Sequence, residues 1–238
     1  MPYVATVEEG PTDRLDVQIP AALSWHADDL ADRISASFVA MPPAAQIVAM
    51  ADPAVRNLVA IYPGVAPVLV TDPFHALIRS ISAQQVNLRW AATVRRRLAE
   101  NYGASLEVGQ RNVYRLQAGR LAKAKVEDLR ALQLTTAKSR SVIAVAEAAA
   151  AGYLESDRLL AMTDDELIGH LTALRGIGLW SAEWFIARAL GRPRVVAGDL
   201  GVRKAVGRMY RPVGSSLPSE REVRELTSHW GEAATFIQ

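Results

Sequence analysis

At 238 residues, half of them hydrophobic, the chain has material for one large or two small domains around a sizeable core. The lack of cysteine excludes disulfides, thiolate nucleophiles and a cysteine-held iron–sulfur cluster; no apolar run approaches the roughly 20 residues that span a bilayer, nor is there the basic-then-apolar start of a secretory signal, so a cytoplasmic location is expected. The net charge of +2 hides an asymmetry: residues 1–52 hold eight acids and two arginines, leaving 25 basic against 17 acidic side chains in the rest, a balance that suits a phosphate-rich partner.

Residues 3–19 alternate weakly around Gly10-Pro11, with Val4 and Thr6 before it and Leu15, Val17 and Ile19 after it, which suggests a short β-hairpin. Pro42-Pro43 breaks the next helical stretch. From Ala44 the pattern is helical almost throughout and predicts helices at 53–61, 73–82, 86–102, 135–151, 163–173, 179–190, 199–210 and 218–230. Pro53 and Pro73 stand at helix starts, where a missing amide costs little. Thr163-Asp164-Asp165-Glu166 has the form of a capping box. The four histidines (His26, His75, His170, His229) show no metal-ligand spacing. Arg89, Arg95, Arg96 and Arg97 read as a solvated helix face.

Between two of these helices lies Leu174-Arg175-Gly176-Ile177-Gly178-Leu179-Trp180. Two glycines around one aliphatic residue make a tight turn at a helix end, and the amides of such a turn form an anion site. An ordinary interhelical turn has the same pattern. From Arg175 to Arg211 there are eight basic side chains (Arg175, Arg188, Arg192, Arg194, Arg203, Lys204, Arg208, Arg211) against two acids, Glu183 and Asp199. Asp199 stands 21 residues after the second glycine, after a short apolar run and where a helix begins. It suits a helix N-cap, a role compatible with catalysis.

These motifs resemble the helix-hairpin-helix-Gly/Pro-Asp (HhH-GPD) DNA glycosylases, and within them the 3-methyladenine DNA glycosylase II branch. Thr71 to Val86 is similar to the family's opening helix and its paired-glutamine turn, Gln84-Gln85. Leu134 to Arg140 and Ala146-Glu147-Ala148 are similar to the helix before the hairpin. The likeness covers about residues 50–230, and the order and spacing of the motifs carry it.

The resemblance implies a mainly α fold of two helical subdomains with the active cleft between them. One subdomain would be 73–192, ending in the hairpin; the other would join 44–72 to 193–238, with residues 1–43 as an acidic extension. It implies a monomer that acts on double-stranded DNA holding a damaged base, associated with the bacterial nucleoid. Asp199 would stabilise the cationic sugar as the base leaves and orient the attacking water. Relatives that also cut the backbone carry a lysine where this chain has Trp180, and an indole forms no Schiff base. Simple hydrolysis of an alkylated base, leaving an abasic site, is therefore expected; a glycosylase for uracil or a mismatched base, and a catalytically silent DNA-binding protein, are the rival readings.

Trp180 and Trp184, one helical turn apart, would line the base pocket, where indole faces attract the cationic ring of an N3- or N7-alkylated purine; core packing is the other role open to them. The family has tyrosine at the second position. Gly176, Gly178, Arg175 and Lys204 would contact phosphate, and Gln84 and Gln85 would fill the space left by the flipped base or cap the helices between which they lie. No cofactor is required, although the backbone carbonyls of Thr172, Leu174 and Ile177 would bind Na+ or K+. Two departures stand out: the first 45 residues are too short for the sheet domain of larger members, and relatives have an arginine near Ala234 and a further apolar turn.

Overall fold

A computed structural model describes residues 6–9, 15–18, 27–38, 42–63, 65, 67–108 and 111–238. The expected hairpin is present: β1 (Thr6–Glu9) pairs antiparallel with β2 (Leu15–Gln18), Thr6 opposite Gln18 and Glu9 opposite Leu15. Val4, Gly10-Pro11, Ile19 and His26 lie outside the described residues. Helices α1 (Ala27–Ser35), α2 (Pro43–Ala51), α3 (Pro53–Ile61), α4 (Pro73–Ala83) and α5 (Leu88–Tyr102) follow.

The helix starts are chemically marked. Asp52 accepts from the amides of Ala54 and Val55 at 2.8 and 3.3 Å with Pro53 as the first helical residue, and Asp72 accepts from His75 at 3.0 Å ahead of Pro73. Such caps satisfy orphan amides and are each worth about 1 kcal/mol.

The helical pattern read from Ala44 onward needs one correction. After α5 the chain forms a second antiparallel hairpin, β3 (Gly103–Val108) with β4 (Arg111–Leu116), packed on α5. Three short helices were also not foreseen: α6 (Ala118–Leu121), α7 (Val126–Ala131) and, beyond α8 (Thr136–Ala150), α9 (Ser156–Ala161). Each carries one buried leucine (Leu121, Leu129 and Leu159), too few to mark a period. The chain continues with α10 (Asp164–Thr172), α11 (Leu179–Arg188), α12 (Leu200–Tyr210), α13 (Glu220–Thr227), a 3-10 turn over Ser228–Ala233, and α14 (Ala234–Ile237). The expected capping box opens α10: Thr163 donates its amide to Glu166 Oε2 at 2.7 Å, and Glu166 donates its own to Thr163 Oγ1 at 3.3 Å.

Hydrophobic burial falls into two cores. The larger draws Leu77 and Ile81 of α4, Leu98 of α5, Val142 of α8, Leu167 and Leu171 of α10, and Phe185 and Ile186 of α11. The smaller joins Ala45 of α2 and Val55 of α3 to Ala197, Val206 of α12, Val223 of α13, Trp230 and Ile237. Each fully buried large side chain contributes roughly 1.5–3 kcal/mol. The chain passes from one core to the other between α11 and α12. That crossing is stitched to the last residues: Arg194 N donates to Thr235 Oγ1 (3.2 Å), Val196 N to Gln238 Oε1 (2.8 Å), and Gln238 Nε2 to Arg194 O (2.6 Å). Among the described residues no helix is long and apolar enough to cross a membrane.

Candidate DNA-binding and catalytic site

The hairpin joins α10 to α11, and its two glycines are there for different reasons. Gly176 has φ 79°, and a β-carbon on it would lie 1.9 Å from Ser141 Oγ, so the turn presses its backbone onto α8. Only glycine fits that position. Gly178 is the N-cap of α11 with φ −102° and ψ −178°, and a β-carbon there would meet nothing within 4 Å. A side chain at Gly178 would therefore be unstrained and would face open space.

Asp199 caps α12. Its Oδ1 accepts from the amides of Gly201 (2.8 Å) and Val202 (3.1 Å), which leaves Oδ2 to accept from Trp180 Nε1 at 3.2 Å. Capping and a second use of the carboxylate thus coexist in one side chain. Three donors hold the group in one orientation, and the indole turns its N–H edge toward it. Trp184, one turn along α11, packs against the larger core, which favours its structural role without removing it from the neighbourhood of Trp180. Burial pushes the Arg188 guanidinium below its ordinary range while the charge of Asp199 works in the opposite direction, so the two charges sense each other.

The basic run splits into two groups. Arg188 donates to the carbonyls of Thr235 (3.3 Å) and Gln238 (2.9 Å); Arg192 to those of Leu160 and Met162 (2.8 Å each) and to Asp164 (3.1 Å). Arg203 donates to Pro218 O (2.7 Å) and Arg211 to Ser216 O (3.0 Å). Arg194 lies 3.9 Å from both Asp164 and the buried Glu183, which Arg224 also meets at 2.8 Å. These arginines fasten the fold to itself. Arg175, Lys204 and Arg208 remain exposed. The α5 group also divides: Arg96 pairs with Glu100 and is exposed, whereas Arg95 reaches Ser82 Oγ (3.1 Å) and Arg97 reaches Gln133 Oε1 (2.7 Å). A uniformly solvated face was expected there; two of its arginines are structural.

The paired glutamines do different jobs. Gln84 turns inward and donates its amide to Gly176 O at 3.0 Å and to Ser181 Oγ at 3.2 Å. Gln85 is exposed at φ 55°, a left-handed conformation uncommon for glutamine. Of the two, only Gln85 is free to reach outward. Sequence reasoning could not assign the split, because the partner of Gln84 lies 92 positions away.

Among the described residues no group of three or more His, Asp or Glu side chains could hold a metal ion. An apolar cavity of about 250 Å³ lies in the smaller core, lined by Val202, Val206, Met209, Trp230 and Phe236, and it borders neither tryptophan of α11.

The glycine turn at the start of α11 and the helix-capping aspartate held by an indole both lie in the segment that a known family's model matches. The chain belongs to the HhH-GPD superfamily of base excision DNA repair proteins, whose family model matches residues 78–232. It is 27% identical over 190 residues to the DNA-3-methyladenine glycosylase of Bacillus subtilis, covering 79% of this chain and 62% of that protein. The chain thus spans less than two thirds of the curated relatives it matches. Its fold is that of the 3-methyladenine DNA-glycosylase from Archaeoglobus fulgidus, at a TM-score of 0.79 and 23% identity over 99% of this chain and 83% of that one. The 8-oxoguanine glycosylase/lyase of Clostridium acetobutylicum, solved with double-stranded DNA containing cytosine opposite 8-oxoG, has the same fold at a TM-score of 0.77 and 16% identity, over 98% and 79% of the two chains.

Proposed function

We propose that this chain is a monofunctional DNA glycosylase that hydrolyses the N-glycosidic bond of alkylated purines and leaves an abasic site. The observation that carries the reading is the Trp180–Asp199 contact: a carboxylate fixed by three donors, with an indole where a lyase would need an amine.

Bond cleavage begins with extrusion of the damaged nucleotide, because the duplex buries the bond. The amides of Gly176 and Gly178 hold the phosphate backbone, with Arg175 and Lys204 beside them, and Gln85 enters the gap. The half-buried Trp180 offers its ring face to the extruded base. A base methylated at N3 or N7 is cationic, so it is drawn to the indole by about 0.5–2 kcal/mol and leaves the sugar readily. As it departs, positive charge develops on the sugar. A carboxylate about 4 Å away lowers that barrier by roughly 4 kcal/mol at an effective dielectric near 20. Asp199 Oδ2 then accepts a hydrogen bond from the water that attacks the sugar carbon. Preorganisation is the source of the effect: the donors to Asp199 are in place before charge appears.

The carbonyls of Thr172, Leu174 and Ile177 would hold a monovalent cation. The Leu174 carbonyl accepts the Ile177 amide at 3.1 Å and keeps a second lone pair, and a set of carbonyl oxygens fits a hard cation. Such an ion would add positive charge beside the bound phosphate.

The test is release of free base from alkylated duplex, with uracil-containing and undamaged duplexes in parallel. Preferential release of 3-methyladenine or 7-methylguanine is expected. Release of uracil alone, or of no base at all, would replace this reading with one of the rivals.

A further inference from the structure

Helix α8 touches both working parts of the site with residues one turn apart. Lys138 sends its ammonium to the end of α4, donating to Ser82 O at 3.2 Å and Gln84 O at 2.6 Å. Ser141 stands where a side chain of residue 176 would be, so the hairpin backbone rests on it. The circuit closes through the Gln84 side chain, whose amide holds Gly176 O. Because that oxygen can only accept, the orientation of the amide is settled by its partner.

The Gln84 carbonyl belongs to the peptide group that leads into Gln85. A cation bound to it fixes that peptide plane, and with it the starting point of the Gln85 side chain. A left-handed φ at a non-glycine residue costs energy and persists only where its surroundings over-determine it. Two contacts flank that residue: Lys138 on the carbonyl before Gln85, and Asn87 after it, capping α5 through the Trp90 amide at 2.8 Å. A cation also suits the carbonyl end of α4. The rest of that end is occupied too, since Arg95 takes Ser82 Oγ.

We propose that Lys138 is a positioning residue for gap filling, tying the Gln85 turn to the hairpin so that one helix sets the span between phosphate contact and inserted side chain. This rests on the glycosylase reading for its purpose but not for its measurement.

The experiment uses a duplex with a stable abasic-site analogue, an intact duplex of the same sequence, and 2-aminopurine opposite the gap to report unstacking. Wild type is expected to prefer the gapped duplex. Lys138→Met and Gln85→Ala should each reduce that preference by about tenfold, the range for hydrogen bonds to charged groups. Affinity for intact duplex should stay within about twofold, because phosphate contacts are spared. The double variant should lose no more than either single one, since both changes remove the same function. Lys138→Arg, which keeps charge and donors, should restore at least half of the preference. Should Lys138→Met not melt cooperatively, Lys138→Gln, neutral but still a donor, is read in the same cycle. Additive losses in the double variant, or a parallel fall in affinity for intact duplex, would overturn the proposal. Absence of base release by wild type with the coupling intact would overturn the glycosylase reading and leave the positioning role standing.

Discussion

Replacing each hairpin glycine by alanine should separate folding from DNA binding, in opposite senses at two positions only two residues apart. At Gly176 the new methyl would fall 1.9 Å from Ser141 Oγ and 2.6 Å from Ser141 Cβ, on a backbone with φ 79°. The left-handed conformation costs about 1–2 kcal/mol for an L-residue and overpacking about 1–3 more, so the loss of stability is roughly 2–5 kcal/mol. In a chain of this size each kcal/mol moves Tm by about 2–4 °C, which places the drop at roughly 4–20 °C. At Gly178 the methyl meets nothing within 4 Å and φ is −102°. The smaller entropy of the unfolded chain and the weaker cap oppose each other, and stability stays within about 1 kcal/mol. Under the proposed function the methyl takes up space meant for a phosphate, and affinity for damaged and undamaged duplex should fall by about tenfold. Calorimetric melting and fluorescence anisotropy at two salt concentrations measure both quantities. A Gly178→Ala protein with wild-type affinity would reduce the hairpin to a connector, and a Gly176→Ala protein with wild-type Tm would refute the packing argument.

Asp199→Asn keeps the Oδ1 cap but loses the charge and the acceptor facing Trp180; base release should drop roughly a thousandfold with duplex binding preserved, and retention of more than about a tenth of the rate would make Asp199 a cap alone. Borohydride added during turnover should trap no protein–DNA adduct, whereas efficient trapping that disappears in Lys204→Ala would mean an amine mechanism. Asp72 is held at about 2 against an ordinary 3.8: burial raises it, but the hydrogen bond and charge of His75 and the charge of Arg115 outweigh that. Its ionic contribution is full above pH 3.8 and is lost as pH falls through about 2, so the stability gap between wild type and Asp72→Asn in urea titrations should close over that window; a gap independent of pH would contradict this.

The parts of the molecule that were legible in the sequence share a property: their signals are local. Asp52-Pro53, Asp72-Pro73 and the Thr163–Glu166 box each announce a helix within four residues, and the spacing of Gly176, Gly178 and Asp199 points to a turn and a cap. The β3–β4 hairpin was hidden because it follows α5 directly, Gly103 serving as both helix end and first strand residue. The roles of the arginines were hidden for another reason. Their acceptors are mostly backbone carbonyls, which every residue possesses, so charge pattern reveals the sign of a side chain but not what it holds. Gln84 is the sharpest case. Its sequence neighbourhood advertises a pair of equivalent amides, and only the chain's return 92 positions later distinguishes them.

The stitching of the crossing segment to Thr235 and Gln238 has a consequence for the order in which contacts form during synthesis. Ile177 of the hairpin and Phe185 and Ile186 of α11 belong to the larger core, whose buried members among the described residues end at Ala189. The backbone that delivers Asp199 is secured by Thr235 and Gln238, some forty residues later. On the ribosome the hairpin can therefore reach its folded form while the segment carrying Asp199 still lacks its Thr235 and Gln238 anchors. A nascent chain in that condition has its hairpin turn in place before the Asp199 carboxylate is secured. The Trp180–Asp199 contact therefore gains its full support only once residues 235–238 have been made and have docked.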